Sequence, residues 1–403
     1  MKWITILLVV FCISSAAIAG GEEGRTVDFS LGTSLDWNDN VYLRENDEKG
    51  KFVITVTPRI AVKVPKGKSY FEFNTNLEYQ NVGFGDYNLF NPSAKILFRQ
   101  NLCEWSSFGI WDKYQKSFIP GDLGEDFDLN TVGVDFKRQF SSALTGKLGY
   151  TYQTLDYPDD DENIADYHDS KITGGVDFRL GRRSVIGVGG HYQAKNFNEP
   201  GGAENLKDYD SYGAKVRYET GVGAKSTFGL YGGYTKKDYE VTYNGESEDE
   251  FYTAGIFLNV PMTEKTSIRV YYDQGVQDTY YVYPGEVLDP EYDPVTDIIM
   301  DTFRDAEVSR IGLNARHQLS EKIGLNMGIS FATNKAGIEK RLPPVPVGTP
   351  ELDEDILEAG AGISYRLGRR VTVSLDYTYG KRDSEARSDY TYNAASVGFK
   401  LDF

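Results

Sequence analysis

From Val27 to the last residue, apolar side chains return at every second position in one segment after another, and hardly any stretch repeats with a helical period. A period of two is the spacing of side chains along one face of a β-strand, so the chain is confined to an all-β structure in which each strand has one greasy and one polar side. The run Val371 to Tyr379 puts Val371, Val373, Leu375, Tyr377 and Tyr379 on one face and Thr372, Ser374, Asp376 and Thr378 on the other. Ile323, Leu325, Met327, Ile329 and Phe331 oppose Asn326 and Ser330 in the same way. Eighteen such segments are predicted, beginning near residues 27, 52, 69, 93, 107, 127, 143, 170, 184, 209, 226, 248, 265, 303, 322, 354, 370 and 388.

The connections divide into two kinds. Those after even-numbered strands are short, as in Gly181-Arg182-Arg183 and Gly368-Arg369-Arg370. Those after odd-numbered strands are expected to be longer and often acidic, as in Asp159 to Glu162, Glu246 to Glu250 and Glu286 to Asp301. An even strand count with short turns at one end and long loops at the other is the organisation of a single-chain transmembrane antiparallel β-barrel of a Gram-negative outer membrane, its short turns on the periplasmic side. Composition agrees. Hydrophobic residues reach only 40 % and no run approaches the roughly 20 residues of a spanning helix, yet a barrel needs apolar side chains on just the outward half of each strand. A formal charge of −17 argues against a nucleic-acid partner. Tyr150, Tyr152, Tyr157, Tyr234, Tyr239, Tyr377, Tyr379, Tyr390 and Tyr392 are expected to form an aromatic girdle at the outer headgroup level.

Lys2, the apolar run Ile4 to Ile13 and the small residues ending in Ala17-Ile18-Ala19 have the three parts of a secretory signal peptide. The expected organisation is a cleaved signal over 1–19, a short periplasmic segment over 20–26 and a barrel over 27–403. Cys12 falls in the signal, leaving Cys103 without an internal partner, so stability rests on backbone pairing and packing. The few residues between signal and first strand leave no material for a plug, and the longest connection, 281–302, could fold inward as a constriction or outward as a cap.

The chain ends with Val397, Phe399, Leu401 and Phe403 alternating on one face. This resembles the C-terminal strand signature of outer-membrane barrels, which implies recognition by the barrel assembly machinery. The stretches Leu35 to Tyr42, Phe52 to Ile60 and Phe71 to Tyr79 resemble the start of the β-barrel porin 2 family. That resemblance implies a lipid-embedded conduit in the outer membrane, in contact with lipid and lipopolysaccharide, and some members are similar to proteins of exopolysaccharide export, so a polysaccharide export system is a further expected partner.

On the polar faces the expected pore-lining residues are Arg59, Lys63, Glu72, Glu78, Asp135, Lys137, Lys147, Asp177, Arg179, Lys215, Arg217, Arg269, Arg310, Arg316, Arg366 and Asp376. Cations exceed anions among them, which suits passage of small hydrophilic solutes or an acidic polysaccharide; pairing of opposite charges across strands to hold the wall is the alternative. A non-conducting scaffold barrel and a surface hydrolase are the other readings. Tyr167-His168-Asp169-Ser170, expected in an exterior loop, carries the residue types of a hydrolase without its context. Gly187-Val188-Gly189-Gly190 is not followed by a helix and is no nucleotide loop. Neither an enzyme nor a cofactor or metal site is expected, since Asp36-x-Asn38-x-Asn40 lacks the glycine of a calcium loop.

Overall fold

The computed structural model describes residues 26–39, 50–82, 87–118, 126–156, 166–197, 208–223, 225–243, 246–277, 306–336, 352–384 and 389–403. The predicted signal and periplasmic segment up to residue 25, the 281–302 connection, Tyr157 and the acidic runs 159–162 and 286–301 lie outside them.

Eighteen strands follow one another: β1 (Thr26–Asn38), β2 (Lys51–Lys66), β3 (Ser69–Val82), β4 (Tyr87–Cys103), β5 (Ser106–Phe118), β6 (Asp126–Gln139), β7 (Leu144–Asp156), β8 (Tyr167–Leu180) and β9 (Ser184–Phe197), then β10 (Tyr209–Val222), β11 (Ser226–Tyr243), β12 (Glu246–Pro261), β13 (Thr266–Gln277), β14 (Ala306–Gln318), β15 (Ile323–Ala336), β16 (Leu352–Leu367), β17 (Val371–Ser384) and β18 (Tyr390–Asp402). Each pairs antiparallel with its neighbours in sequence, and β18 returns to pair with β1, so the sheet is a closed barrel. The closing seam runs from Ser30 opposite Asp402 to Asn38 opposite Ala394. At its periplasmic end the Phe403 amide donates to the Phe29 carbonyl at 2.9 Å, and the two rings pack with centroids 5.1 Å apart. Closure leaves no row of unpaired N–H and C=O groups facing hydrocarbon, where each would cost several kcal/mol.

Strands of 12 to 18 residues exceed the roughly 10 that a tilted strand needs to cross the bilayer, so the sheet continues beyond the membrane. Turns after even-numbered strands are tight, and Gly67, Gly181, Gly223 and Gly368 sit in four of them with φ between 59° and 76°, a left-handed backbone that glycine adopts without steric cost.

Two sequence expectations need correction. The acidic run Glu246 to Glu250, expected as a loop, belongs to β12, which continues the ladder with β11 through a register shift between Asp238 and Tyr243. At 16 residues β12 exceeds the roughly 10 that a crossing needs, so its first residues are not required to be apolar. Likewise β4 begins at Tyr87 rather than near residue 93. Pro92 lies opposite Leu77 inside the β3–β4 ladder, a position where a ring nitrogen without hydrogen interrupts donation but not extended geometry.

One face of the barrel is predominantly apolar and exposed. Leu35, Ile110, Leu148, Val188, Val216, Leu230, Ile256, Val270, Ile311, Ile329, Ile363, Leu375 and Phe399 all belong to it, and the register sets them side by side, as with Leu35, Val397 and Leu375. Tyr150, Tyr152, Tyr192, Tyr212, Tyr252 and Tyr377 lie exposed on the same face, where a phenol bridges hydrocarbon and water. Tyr390 and Tyr392 do not join this girdle: Tyr392 pairs with Gly380 on the opposite, inward face.

Asp112 breaks the apolar face. It sits opposite Ile96 on β4 and Val132 on β6, at the middle of β5. A carboxylate there costs free energy against lipid, less than a basic side chain would at the same depth. Asp112→Leu is expected to stabilise the barrel by about 1 kcal/mol, read as a higher urea midpoint for unfolding from lipid vesicles; an unchanged or lower midpoint would count against a lipid-facing position.

Candidate functional site

The face opposite the apolar belt is the inner wall, and its make-up follows from register. Arg59, Lys63, Glu72, Glu78, Asp135, Lys137, Lys147, Asp177, Arg179, Lys215, Arg217, Arg269, Arg310, Arg316, Arg366 and Asp376 all occupy its alternating positions, as shown by the ladders Lys63 opposite Glu72, Lys137 opposite Lys147, Asp273 opposite Arg310 and Arg366 opposite Thr372. The same parity includes Lys195 and adds Lys95, Arg99, Lys113, Lys171, Lys237 and Arg382, which the alternation within single strands did not single out. Among the described residues, inward Lys and Arg outnumber inward Asp and Glu.

Some of these charges hold one another. Asp177 Oδ1 accepts from Arg217 Nη2 at 2.6 Å, and its other oxygen pairs with Lys147 from the neighbouring strand on the far side. Arg99 lies 3.7 Å from Asp135, Arg382 3.8 Å from the buried Glu354, and Lys400 2.8 Å from Asp402. Tyr70 and Asn74 both donate to Glu72, at 2.7 and 2.5 Å. Cross-strand pairing therefore exists, and among the described residues it leaves inward cations in excess.

A second device is absent from the sequence reading. Five inward aromatic rings lie flat across the inward glycine directly opposite on a neighbouring strand: Trp111 on Gly133, Tyr231 on Gly255, Phe257 on Gly229, Tyr271 on Gly312 and Tyr392 on Gly380. A Cβ added at any of these glycines would collide with the ring. Glycine, which otherwise weakens a strand, here supplies the floor on which the ring packs, and the ring covers the backbone the glycine exposes. A cation stands close to several of these rings: the Lys215 ammonium is 3.5 Å from the Tyr231 centroid, Lys95 is 5.8 Å from that of Trp111, and Arg269 is 5.4 Å from that of Phe257 and 5.7 Å from that of Tyr271. Cation–π attraction draws these long side chains against the wall. Only the cross-strand register could have revealed the arrangement, because ring and glycine are always on different strands.

Toward the extracellular end, inward residues form a mixed cluster of rings and cations. The Lys195 ammonium lies 3.7 Å from the Tyr167 centroid and 5.2 Å from that of Phe197, and Lys237 lies 4.4 Å from Tyr209 and 5.7 Å from Phe251. Each of these two lysines is about nineteen-twentieths buried.

The hydrolase-like residues do not converge. His168 is in β8 rather than a loop, and alternation sends His168 and Ser170 outward while Asp169 faces inward. His168 Nε2 meets Asn196 Nδ2 at 3.1 Å, and Asp169 accepts from Gln193 at 2.8 Å. His317 Nδ1 lies 2.7 Å from Thr266 Oγ1 on another part of the barrel. No group of His, Cys, Asp and Glu among the described residues has metal-ligand spacing. The Gly187 to Gly190 stretch lies within β9.

A closed eighteen-strand antiparallel sheet with an apolar outside and a charged, aromatic inside is a bacterial outer-membrane β-barrel, and the protein resides in that membrane. No family model matches the sequence, so the likeness to the β-barrel porin 2 family rests on the quoted motifs, and no curated protein matches it. Among solved structures the chain is similar to the siderophore receptor PirA from Pseudomonas aeruginosa, at 8 % identity over 95 % of this chain and 81 % of that one, with a TM-score of 0.53. It is also similar to OccK2 (OpdF) from the same organism, at 10 % identity over 94 % and 98 % of the two chains and a TM-score of 0.51. OpdO, again from Pseudomonas aeruginosa, gives 11 % identity over 94 % and 98 %, with a TM-score of 0.51. At these identities the likeness is one of fold.

Proposed function

We propose that the protein is a passive outer-membrane channel for small hydrophilic solutes, with anionic ones favoured. The observation that carries this reading is the inner wall: an eighteen-strand barrel is wide enough to enclose water, and among the described residues inward Lys and Arg exceed inward Asp and Glu. A cationic wall lowers the electrostatic barrier for anions and raises it for cations. One of the similar structures, OccK2, is in complex with glucuronate, a sugar acid, and a solute of that kind suits such a wall. Guidance of an acidic exported polysaccharide is the polymeric form of the same reading, drawing on the same cations and on the inward rings as sugar-stacking surfaces. Lipid and lipopolysaccharide on the apolar belt, and the barrel assembly machinery at β18, complete the proposed partners. The separation of His168 and Ser170 from Asp169 speaks against a hydrolase built on them.

Reversal potentials across a planar bilayer in a salt gradient test the proposal. Anions are expected to permeate several-fold better than cations. Clear cation selectivity would overturn the anion preference, and a folded, inserted protein that gives no current steps would favour the scaffold.

A further inference from the structure

Between β7 and β10 the inner wall has a gap in its lining. Lys147 on β7 stands opposite Gly175 on β8, Gly175 opposite Gly189 on β9, and Gly189 opposite Lys215 on β10. One level toward the periplasm the row reads Asp177, Gly187, Arg217; one level toward the exterior stands Thr173. The bare backbone of Gly175 and Gly189 thus floors a recess whose rim is Lys147, Thr173, Asp177, Lys215 and Arg217, with the Arg217–Asp177 bridge lying across Gly187 at its periplasmic edge. Lys147 and Lys215 are three strand spacings apart, about 14 Å at the backbone.

The glycines are required by what surrounds them. A Cβ at Gly187 would come within 2.5 Å of Arg217 Nε and 2.8 Å of Asp177 Oδ1, so only glycine lets the Arg217–Asp177 bridge lie flat against the wall. At Gly175 it would meet the Val188 carbonyl at 3.0 Å, and at Gly189 the Gly174 carbonyl at 3.1 Å. These flat-lying rings and chains shape the border too: Lys215 is held over Tyr231, itself seated on Gly255. The charge of the rim is unequal, with three cations facing the single carboxylate of Asp177, which already bridges Lys147 and Arg217.

We propose that this recess is a docking subsite for a monocarboxylated sugar in transit. The sugar ring would lie on Gly175 and Gly189, its hydroxyls within reach of Thr173 and Asp177, and its carboxylate would take a hydrogen bond from the Arg217 guanidinium and draw the flexible Lys215 ammonium off Tyr231 to meet it. An extended cationic side chain offers charge-assisted hydrogen bonds to a carboxylate that a neutral sugar cannot accept with the same strength. The inference rests on the channel reading for its meaning in transport, but binding itself does not require conduction.

Two measurements separate these claims. In planar bilayers, galacturonate is expected to interrupt the ion current at concentrations about ten-fold below those of neutral galactose. Lys215→Gln and Arg217→Gln, each verified as folded by its gel shift on boiling, are expected to raise the half-blocking galacturonate concentration about ten-fold and leave galactose unaffected. Equal blockade by the two sugars, or galacturonate blockade indifferent to both substitutions, would overturn the subsite while leaving the channel intact. If the wild type carries no current, the channel reading fails, and calorimetric titration of galacturonate into the detergent-solubilised protein decides the subsite alone: heat lost in Lys215→Gln supports it, and no wild-type heat overturns it.

Discussion

Leu375→Arg is expected to lower the unfolding free energy of the barrel by about 2–4 kcal/mol, the cost of a guanidinium at the bilayer midplane. Strand β17 enters the membrane near Val371, directly after the turn at Gly368, so Leu375 comes at about half of the roughly 10 residues needed to cross. Its side chain is 53 % exposed and is flanked by Ile363 on β16 and Val397 on β18, themselves outward and apolar. Neither of these two neighbours carries a carboxylate that could pair with the charge. Ser374, the preceding residue, faces Ser364 and Gly398 on the inner wall, where a charge meets water, and Ser374→Arg is expected to cost less than about 1 kcal/mol. Urea unfolding from lipid vesicles measures both. Equal costs would mean that the two faces do not see different solvents, and the membrane-embedded reading would be lost.

Removal of β18 is expected to have the larger effect still. Ending the chain before Tyr390 strips the partner from both β17 and β1 along two full ladders. The two edges left behind would each present a row of unpaired backbone groups to hydrocarbon at several kcal/mol per group. The sum exceeds the whole stability of an ordinary fold, which is of the order of 5–15 kcal/mol. The truncated chain should therefore give no species whose gel mobility changes on boiling. A heat-shifted band from that chain would show that seventeen strands can close without the Phe29–Phe403 end of the seam.

The extent to which the fold was legible follows from the arithmetic of strands. With a period of two, a residue's face is set once any neighbour in the same strand is placed, which is why Val371 to Tyr379 divides as the alternation requires. Closure was legible too, from the even number of segments and the two kinds of connection. Where strands stop was harder. Glu246 to Glu250 read as a loop because acidic residues are poor strand formers, yet a hairpin that rises past the membrane is free of the constraint that makes them poor. Tyr392 read as a girdle residue because tyrosine suits headgroups, but its partner Gly380 lies on another strand and gave no local signal. The recess at Gly175, Gly187 and Gly189 depends on the mutual register of four strands, which alternation within each strand leaves undetermined.

The rings laid on glycine have a consequence for how such a wall can vary. An upright tryptophan or tyrosine would narrow the bore; laid flat, it adds only the thickness of a ring. Replace Gly133 or Gly255 by a larger residue and the opposing Trp111 or Tyr231 must swing toward the axis. Each pair therefore behaves as a single heritable unit that sets aperture, and divergent copies of this gene should gain or lose ring and glycine together.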